Sequence, residues 1–454
     1  IPFFKHKILI NFVLSRYDWR TAKAYKNIAG LFGIKGLNIV IGFVQVPLVL
    51  GYLDQTRYGI WLTLTVIFGW FSLFNIGLGN GLRNRLTEAI AKNNLSKARI
   101  YVSTTYAAIS VIFISVFLLF FIANFFLNWS KILNAPESLA GELSKLALVA
   151  FFFFCAKFVV MLIETVAKAK QEPALAQLIN LSGRLLGLLG IWLLVKFADS
   201  RLLYLGYTLT GVPVFVTILL TFFFFRNRYY NLRPSIKLIR FSELRYVMNI
   251  GFKFFFIQIA SLVFYQSNNI IIAQLFGPEE VTPYNIGYKY FTVTTMAYMI
   301  LLTPYWSAIT DAFARNELQW IKKTIKRLRW LWLLFSVLTF LLFLFSDTLI
   351  TLWVGDDIKI PFGLSIALLI YVLLHSYNAI FNSFLNGTGK LKVQVYRTAV
   401  MTLLYIPLTI FFAKQYGIQG IMFTMIIFSA ITLFFYEFQY QKIISGNARG
   451  IWNK

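Results

Sequence analysis

The nine residues T-E-A-I-A-K-N-N-L at Thr87–Leu95 have a near copy in T-D-A-F-A-R-N-E-L at Thr310–Leu318. Five of the nine positions are identical, and two more exchange one charged residue for another of the same sign. A scan of all pairs of nine-residue windows makes about 100,000 comparisons and should yield roughly ten matches this good by chance. The match therefore becomes informative only when both stretches are placed in the topology of the chain.

The composition is that of a membrane protein. The 454 residues are 59% hydrophobic, 18% aromatic and 13% charged, whereas about a quarter of the residues of a soluble domain are charged. The apolar residues form runs of about twenty, which is the length of a helix that crosses a bilayer core of about 30 Å. The runs predict twelve transmembrane helices over residues 28–50, 58–79, 101–128, 142–166, 174–195, 203–225, 247–276, 284–308, 328–353, 362–387, 394–413 and 417–440.

The placement of the basic residues orients the chain. The net charge is +26, which could suggest a nucleic-acid partner. If the N-terminus is cytoplasmic, the inner segments with their flanking turns hold 31 of the 43 Lys and Arg residues, and the outer loops hold six. Cytoplasmic loops are enriched in Lys and Arg. We therefore expect both termini in the cytoplasm and no nucleic-acid partner.

This topology places the two nonapeptides at equivalent positions. The first lies in the inner loop after the second helix, and the second lies in the inner loop after the eighth helix. Comparison of equivalent loops alone needs only about a hundred trials, so chance becomes a poor explanation. An even number of helices per repeat keeps both halves in the same orientation. The prediction is an all-α polytopic membrane protein with two parallel six-helix lobes, related by a pseudo-two-fold axis along the membrane normal, and a substrate path between them.

The predicted organisation follows from these spans. The run that contains Lys5, His6 and Lys7 predicts an amphipathic segment on the inner surface rather than a signal peptide. The single cysteine, Cys155, lies within a span and offers no disulfide framework. The predicted units are a cytoplasmic N-terminal segment 1–27, an N-terminal lobe 28–225, a basic cytoplasmic linker 226–246, a C-terminal lobe 247–440 and a cytoplasmic tail 441–454.

Three longer motifs carry a family resemblance: Y-G-I-W-L-T-L from Tyr58, F-N-I-G-L-G-N-G-L-R-N-R-L from Phe74, and N-N-I-I-I-A-Q-L-F-G-P-E-E-V-T-P-Y-N-I-G-Y-K-Y from Asn268. They resemble Wzx-type O-antigen and polysaccharide flippases, in the polysaccharide transporter branch of the multidrug/oligosaccharidyl-lipid/polysaccharide (MOP) exporter superfamily. One departure is the neutral pair Asn268 and Asn269, where many relatives carry an acidic residue.

The resemblance implies a MATE-like lipid flippase rather than an enzyme. Such a protein moves a polyprenyl-diphosphate-linked oligosaccharide from the inner to the outer leaflet of the bacterial cytoplasmic membrane by alternating access. The resemblance also implies a monomer without a cofactor. This monomer would be surrounded by membrane lipids and would act beside other membrane proteins of polysaccharide assembly. No glycine run matches a phosphate-binding loop, so we expect transport to use an H+ or Na+ gradient, or the substrate gradient, rather than ATP.

Six basic residues fall inside the predicted spans, where each costs roughly 3 kcal/mol at mid-bilayer. Lys145 and Lys289 lie near outer ends and are expected to extend to the membrane surface. A diphosphate must be desolvated and paired with cations inside a low-dielectric path. We therefore predict that the cavity between the lobes binds the pyrophosphate through Lys35, Lys253, Arg184 and Lys157.

An alternative for these residues stays open: ion pairs that only pack the bundle, Lys157 with Glu164 or Arg184 with a helix neighbour. Arg83 and Arg85 are expected at the cytoplasmic mouth, either as positive anchors or as the group that captures the lipid diphosphate. Two groups could couple transport to an ion. They are Glu164 in the fourth span and His375 in the tenth, which could equally be hydrogen-bonded structure.

Two other functions compete with the flippase. A drug or cation exporter of the same superfamily should carry carboxylates in its spans, and these spans hold six basic residues against Glu164 and Glu437. A membrane-embedded polysaccharide ligase or polymerase should have a large outer loop with catalytic acids. The longest predicted outer loop, 129–141, holds Glu137 as its one acid.

Overall fold

The computed structural model describes the backbone of residues 19–75, 78–170 and 172–453. Within these ranges, the side chains of residues 19–32, 75, 80, 91, 248–262, 265, 303, 304, 307, 310, 311 and 314 lie outside the description. Most of the predicted N-terminal segment 1–27 therefore lies outside the described residues, and so does the side chain of Lys253.

The described chain forms helices and no strands. Ten of its helical segments are long and apolar enough to cross a membrane, and they coincide with predicted helices one to six and nine to twelve. The predicted seventh and eighth helices are α11 and α12. The α-helices are α1 (Trp19–Leu50), α2 (Gln55–Trp70), α3 (Leu78–Ala91), α4 (Leu95–Asn124), α5 (Trp129–Leu133), α6 (Ala140–Val160), α7 (Leu162–Ala169), α8 (Pro173–Phe197), α9 (Leu202–Gly206), α10 (Val212–Arg226), α11 (Leu244–Phe276), α12 (Pro278–Ala314), α13 (Leu318–Leu344), α14 (Ser346–Val354), α15 (Phe362–Thr388), α16 (Lys392–Tyr416) and α17 (Ile418–Ile444).

Four predicted helices are divided in the structure. The fourth is divided at Met161, between α6 and α7, and the sixth is divided by a π-helical turn, Tyr207–Gly211, between α9 and α10. The second ends at Trp70 and is followed by a 3-10 turn, Phe71–Asn75, before α3 begins. Asn75 is the last residue of this turn and Gly79 lies in the first turn of α3, and such residues are poor helix formers. The ninth is divided at Phe345, between α13 and α14.

Successive long helices alternate in direction, so the connecting loops lie on two sides of the bundle. We call one the basic side, because it carries the loop 92–94 and the Arg-rich segment 227–243. We call the other the opposite side, and it carries the loops 51–54 and 355–361.

The two nonapeptides adopt the same conformation. Asn93 and Asn316 occupy equivalent positions and both have left-handed backbones, with φ of 53° and 59°. In each copy, the backbone N–H of the following residue donates to the carbonyl of an equivalent alanine. The distance is 2.9 Å from Asn94 to Ala89 and 2.8 Å from Glu317 to Ala312. This 6→1 bond with a left-handed residue inside it is a Schellman helix end. The repeat is therefore structural as well as sequential, and it ends α3 and α12 in the same way.

The two halves of the chain meet on the opposite side. The Gln55 side chain donates to the Glu279 carbonyl at 2.9 Å, and the Thr282 hydroxyl donates to the Gln55 carbonyl at 2.7 Å. A Cβ on Gly59 would collide with the Pro278 carbonyl, so only glycine permits this approach of α2 to α12. A buried apolar core continues across this contact from one half into the other.

A proline in α1 creates a second contact between the halves on the same side. Pro47 lies inside α1 and has no N–H, so the carbonyl of Phe43 loses its helical donor. The Trp353 indole N–H, from α14 at the end of the ninth predicted helix, donates to that carbonyl at 2.9 Å. The rings of Phe43 and Trp353 also pack against each other, with centroids 4.7 Å apart. The second half thus satisfies a carbonyl that the sequence of the first half leaves free.

Candidate substrate cavity

A cavity of about 660 Å³ lies between α1 and α8 of the first half and α12 and α15 of the second. Its lining residues are Lys35, Asn38, Ile39, Gln177, Asn180, Arg184, Tyr288, Thr292, Thr295, Met296, Met299, Ile300 and His375. Gln177 and Ile300 lie on the halves of their helices nearer the basic side, and Lys35 lies at the middle of α1.

One face of α1 is directed at this cavity. Lys35, Asn38 and Gly42 recur at spacings of three and four residues and so share a helix face. The Asn38 amide is fixed by donating to the Ile34 carbonyl at 3.0 Å, and its oxygen accepts from Arg184 Nη1 at 2.9 Å. The structure therefore brings Lys35 and Arg184 to one cavity, and their binding of a pyrophosphate stays a prediction.

Arg184 is positioned by its neighbour in the chain. Gly183 is buried, and a Cβ there would lie 2.9 Å from the Cα of Pro213, so α8 packs closely on α10 at this point. Arg184 itself is exposed to the cavity. Its recorded hydrogen bond is to Asn38 rather than to a neighbour in its own helix, so the predicted alternative of a packing ion pair within α8 is wrong.

Lys289 also belongs to this cluster, although the sequence predicted that it extends to the membrane surface. Its amine donates to the Gly42 carbonyl on α1. The predicted extension of Lys289 to the membrane surface is therefore wrong. A Cβ on Gly42 would lie 3.6 Å from Lys289 Nζ and 3.9 Å from Arg184 Nη2. Two cations from different halves thus flank one glycine. Lys145 is exposed.

The cluster has no acidic partner among the described residues. The ion pairs recorded there do not include Lys35, Arg184 or Lys289. Uncompensated cations in a region of reduced dielectric repel one another and attract anions. We call Lys35, Arg184 and Lys289 the central cationic cluster.

A branch of about 310 Å³ extends from the cavity into the first half and shares Asn180 and Arg184 with it. Lys157 and Glu164 both line this branch. Glu164 is 4% exposed and its ion pair is with Lys168, at 3.4 Å. The recorded ion pair of Glu164 is thus with Lys168 rather than with Lys157, and Lys157 adds a further cation to the same connected space.

A second branch, of about 230 Å³, extends into the C-terminal half and shares Met299 and His375 with the cavity. His375 stands at the junction with its ring stacked on Tyr371, centroids 5.3 Å apart. Asn378 donates to the Ser429 carbonyl at 2.8 Å, which ties α15 to α17. Asn382 accepts from Asn386.

Arg83 and Arg85 lie on α3 at the basic side. Arg85 pairs with Glu88 at 2.9 Å and donates to the Tyr246 carbonyl at 3.2 Å, so it anchors α3 to the start of α11. Hydrogen bonds from Lys92 and Arg85 hold the pKa of Glu88 below its usual range. Arg83 is exposed, and capture of a lipid diphosphate by it stays a prediction.

The neutral pair in the last third of α11 forms a hydrogen-bond network. Asn268 donates to the Tyr284 hydroxyl at 2.8 Å and accepts from the Tyr405 hydroxyl at 2.9 Å. Asn269 exchanges hydrogen bonds with Asn285. The partners of these amides are uncharged, and the network joins α11, α12 and α16.

Long apolar helices, a repeated helix end and a connected cavity between two halves define a polytopic membrane protein of the two-lobed transporter class. The model of the family described as "Polysaccharide biosynthesis protein" matches residues 24–310, and the MatE model matches residues 254–411. The chain belongs to the polysaccharide biosynthesis protein family.

Curated relatives cover most of the chain. An O-antigen export protein of Yersinia pseudotuberculosis is 22% identical over 417 residues, which are 89% of this chain and 92% of the relative. An O-antigen transporter of Salmonella typhimurium is 22% identical over 408 residues, 87% of this chain and 92% of the relative.

Solved structures share the fold. An inward-facing multidrug resistance MATE family transporter of the MOP superfamily superposes with a TM-score of 0.70 at 12% identity, covering 90% of this chain and 95% of the other. An outward-facing one gives 0.62 at 13% identity, covering 93% and 96%. The predicted MATE-like fold of two parallel lobes is confirmed.

Proposed function

We propose that this protein is a flippase of the bacterial cytoplasmic membrane that carries a polyprenyl-diphosphate-linked oligosaccharide from the inner to the outer leaflet by alternating access. The relatives named for O-antigen export support this substrate class. The observation that carries the proposal is the central cationic cluster: Lys35 and Arg184 line the cavity, and Lys289 of the second half lies beside Arg184 at Gly42. None of the three takes part in an ion pair recorded among the described residues.

The chemistry of the cluster suits a diphosphate. A pyrophosphate with two or more negative charges needs several cations to leave water. Arg184 offers a planar fork for two phosphate oxygens, while Lys35 and Lys289 act as point charges. Lys157 in the adjoining branch extends the positive field. Lys253, whose side chain lies outside the described residues, stays a predicted member of this set.

The orientation that we propose places the basic side in the cytoplasm, together with both termini. We infer that the cavity opens on this side, toward the leaflet in which a lipid-linked precursor is assembled, because the lining residues Gln177 and Ile300 lie nearer this side. The contacts between Gln55, Glu279 and Thr282 close the opposite side. Transport requires that these contacts open while the basic side closes. We propose a monomer with lobes 28–225 and 247–440, a basic linker 226–246 and a cytoplasmic tail 441–454.

The energy source that we propose is an H+ or Na+ gradient. Glu164, buried beside Lys168 and next to Lys157 in the first branch, and His375 at the cavity junction are the candidate coupling groups. Protonation of either would change the charge of a branch that adjoins the cationic cluster.

The alternative of a multidrug or cation exporter shares the fold but not the charge of the cavity. A cationic drug would meet Lys35 and Arg184, with Lys289 beside Arg184, and the cavity lining holds no compensating carboxylate. The ligase or polymerase alternative needs an extended catalytic segment on the opposite side. The described connections on that side are short, such as the segment 355–361, or helical, such as α5.

A binding measurement tests the proposal. The purified protein in lipid nanodiscs is titrated with a polyprenyl diphosphate and with the uncharged polyprenol of equal chain length. Arg184→Gln and Lys289→Gln should each weaken diphosphate binding roughly tenfold, because each removes a charge-assisted hydrogen bond. Lys145→Gln, an exposed lysine outside the cavity, is the matched control. Equal affinity for the diphosphate and the polyprenol would overturn the proposed site.

A further inference from the structure

The branch in the C-terminal half holds a buried cation that the diphosphate site does not use. Arg397 lies in the second turn of α16 and lines this branch. Arg397 lies in the first turn of the predicted eleventh span, so it was included among the Lys and Arg residues of the inner segments and their flanking turns. The structure turns its side chain into the bundle, so it does not act as a surface anchor.

The guanidinium of Arg397 has unused hydrogen-bonding capacity. Its Nη2 donates to the Tyr436 hydroxyl at 3.2 Å, and the guanidinium carbon lies 4.5 Å from the centre of that ring. Its Nε and Nη1 are buried and have no partner. The nearby acid Glu437 is engaged by Arg329 at 2.6 Å. Buried N–H groups of a charged guanidinium are costly to leave unpaired.

The surroundings of Arg397 resemble a sugar site more than a packed core. Asn378 Oδ1 and Gln394 Oε1, which also line the branch, are buried acceptors without a donor. Tyr371, Tyr405 and Tyr436 supply aromatic faces with polar edges. The branch, at about 230 Å³, is smaller than the roughly 300 Å³ at which sites for drug-sized ligands begin. One sugar ring, rather than a whole oligosaccharide, suits this space.

The charge of the branch selects the ligand further. A single guanidinium balances one negative charge, whereas the central cationic cluster holds three cations, Lys35 and Arg184 in the cavity lining and Lys289 beside Arg184. Arginine's planar fork matches the two oxygens of a carboxylate. The branch joins the cavity at Met299 and His375, so a glycan whose diphosphate lies at the cluster can extend into it.

We propose that the C-terminal branch is a subsite for an acidic sugar, whose carboxylate binds Arg397 Nε and Nη1 and whose hydroxyls donate to Asn378 and Gln394. This inference rests on the proposed function, and it narrows the substrate to glycans that carry a carboxylate near their reducing end.

Binding of monosaccharide probes tests the subsite. The full-length protein in nanodiscs and chloride-free buffer is titrated, by saturation-transfer NMR, with methyl glucuronide, methyl glucoside and chloride. We expect the glucuronide to bind at least about tenfold more tightly than the glucoside. Arg397→Gln should remove this preference without changing glucoside affinity, and Arg397→Lys should keep part of it. Lys145→Gln, an exposed lysine outside the cavity, is the matched control and should leave the preference intact.

Three results would overturn the subsite: an equal preference in wild type and Arg397→Gln, no glucuronide preference in wild type, or binding of chloride alone. If Arg397→Gln also loses glucoside binding, Arg397→Lys decides the question. A preference of Arg397→Lys for the glucuronide supports the subsite, and the absence of this preference overturns it. Diphosphate affinity, measured on the same samples, separates the two claims. If Arg184→Gln and Lys289→Gln leave the diphosphate affinity unchanged, the proposed function is overturned. If diphosphate binding is intact but the wild type shows no preference for the glucuronide, only this inference is overturned.

Discussion

Lys289 shows what a single residue's position in the sequence can and cannot predict. Hydropathy places it at a depth in α12 but does not say which way its side chain points. Its amine reaches across to Gly42 on α1, a contact between residues 247 positions apart. A usable signal was present, because Lys289, Thr292 and Thr295 lie on one helix face, and a polar stripe on a membrane helix indicates a face turned away from lipid.

The repeated asparagines give a prediction at the same scale. Asn93→Ala and Asn316→Ala should each destabilise the protein by about 1 kcal/mol, because a left-handed backbone is unfavourable for a residue with a Cβ and no side-chain hydrogen bond. Thermal unfolding of the purified protein measures the effect. Asn93→Gly and Asn316→Gly are the controls and should retain wild-type stability. A large loss at one position with none at the other would contradict the structural equivalence of the two helix ends.

Glu172 predicts a pH dependence on the basic side, outside the spans. Burial raises the pKa of Glu172, but hydrogen bonds from Arg228 and Tyr229 outweigh it and lower the pKa below its usual value. A lowered folded-state pKa contributes stability above the unfolded value of about 4.3, and this contribution is lost as pH falls through the folded pKa.

Glu172→Gln should therefore reduce stability at neutral pH and flatten its decline between about pH 5 and pH 3. Unfolding temperatures across this range measure the difference from wild type. Glu88→Gln is the control: Glu88 is exposed, and exposed ion pairs contribute little. An unchanged pH profile in Glu172→Gln would show that the Arg228 contact adds no stability.

At the scale of helices, α1 depends on an element from the other half of the chain. Pro47 frees the Phe43 carbonyl, and Trp353 supplies the donor. The sequence predicted the existence and order of the helices, because runs of about twenty apolar residues are a strong local signal. It did not predict the break at Phe345 that separates α14 and allows Trp353 to reach α1, since that geometry depends on packing between the halves.

This contact makes a coupled prediction. Trp353→Phe keeps the ring but removes the donor, and it should destabilise the opposite-side contact by about 1 to 3 kcal/mol, the cost of a buried unpaired carbonyl. Pro47→Ala restores the N–H within α1, so in that background the same Trp353→Phe change should cost much less. Unfolding measurements on the four proteins of this double-mutant cycle give the coupling energy. Equal costs in both backgrounds would mean that the indole N–H does not serve the carbonyl freed by Pro47.

At the scale of the whole molecule, the fold and its function follow from different information. The repeat in the chain predicted two lobes, and the structure shows both copies of the nonapeptide ending their helices alike. Of the predicted site residues, Lys35 and Arg184 line one cavity and Arg85 anchors α3, and their roles in binding stay predictions. The sequence did not indicate the contact of Lys289 with α1 or the place of Arg397 in the C-terminal branch. The missed residues act across contacts between helices, which periodicity along one helix does not reveal.

The most direct test of the account is transport by the purified protein. Proteoliposomes are loaded with a lipid-linked oligosaccharide in one leaflet, under an imposed pH or Na+ gradient, and its arrival in the other leaflet is measured. We expect flipping by the wild type and by Lys145→Gln, and a reduction of roughly tenfold or more in Arg184→Gln, because a charge-assisted hydrogen bond to the diphosphate is lost. Absence of flipping by the wild type, or equal rates in Arg184→Gln and wild type, would contradict a diphosphate path through the central cationic cluster.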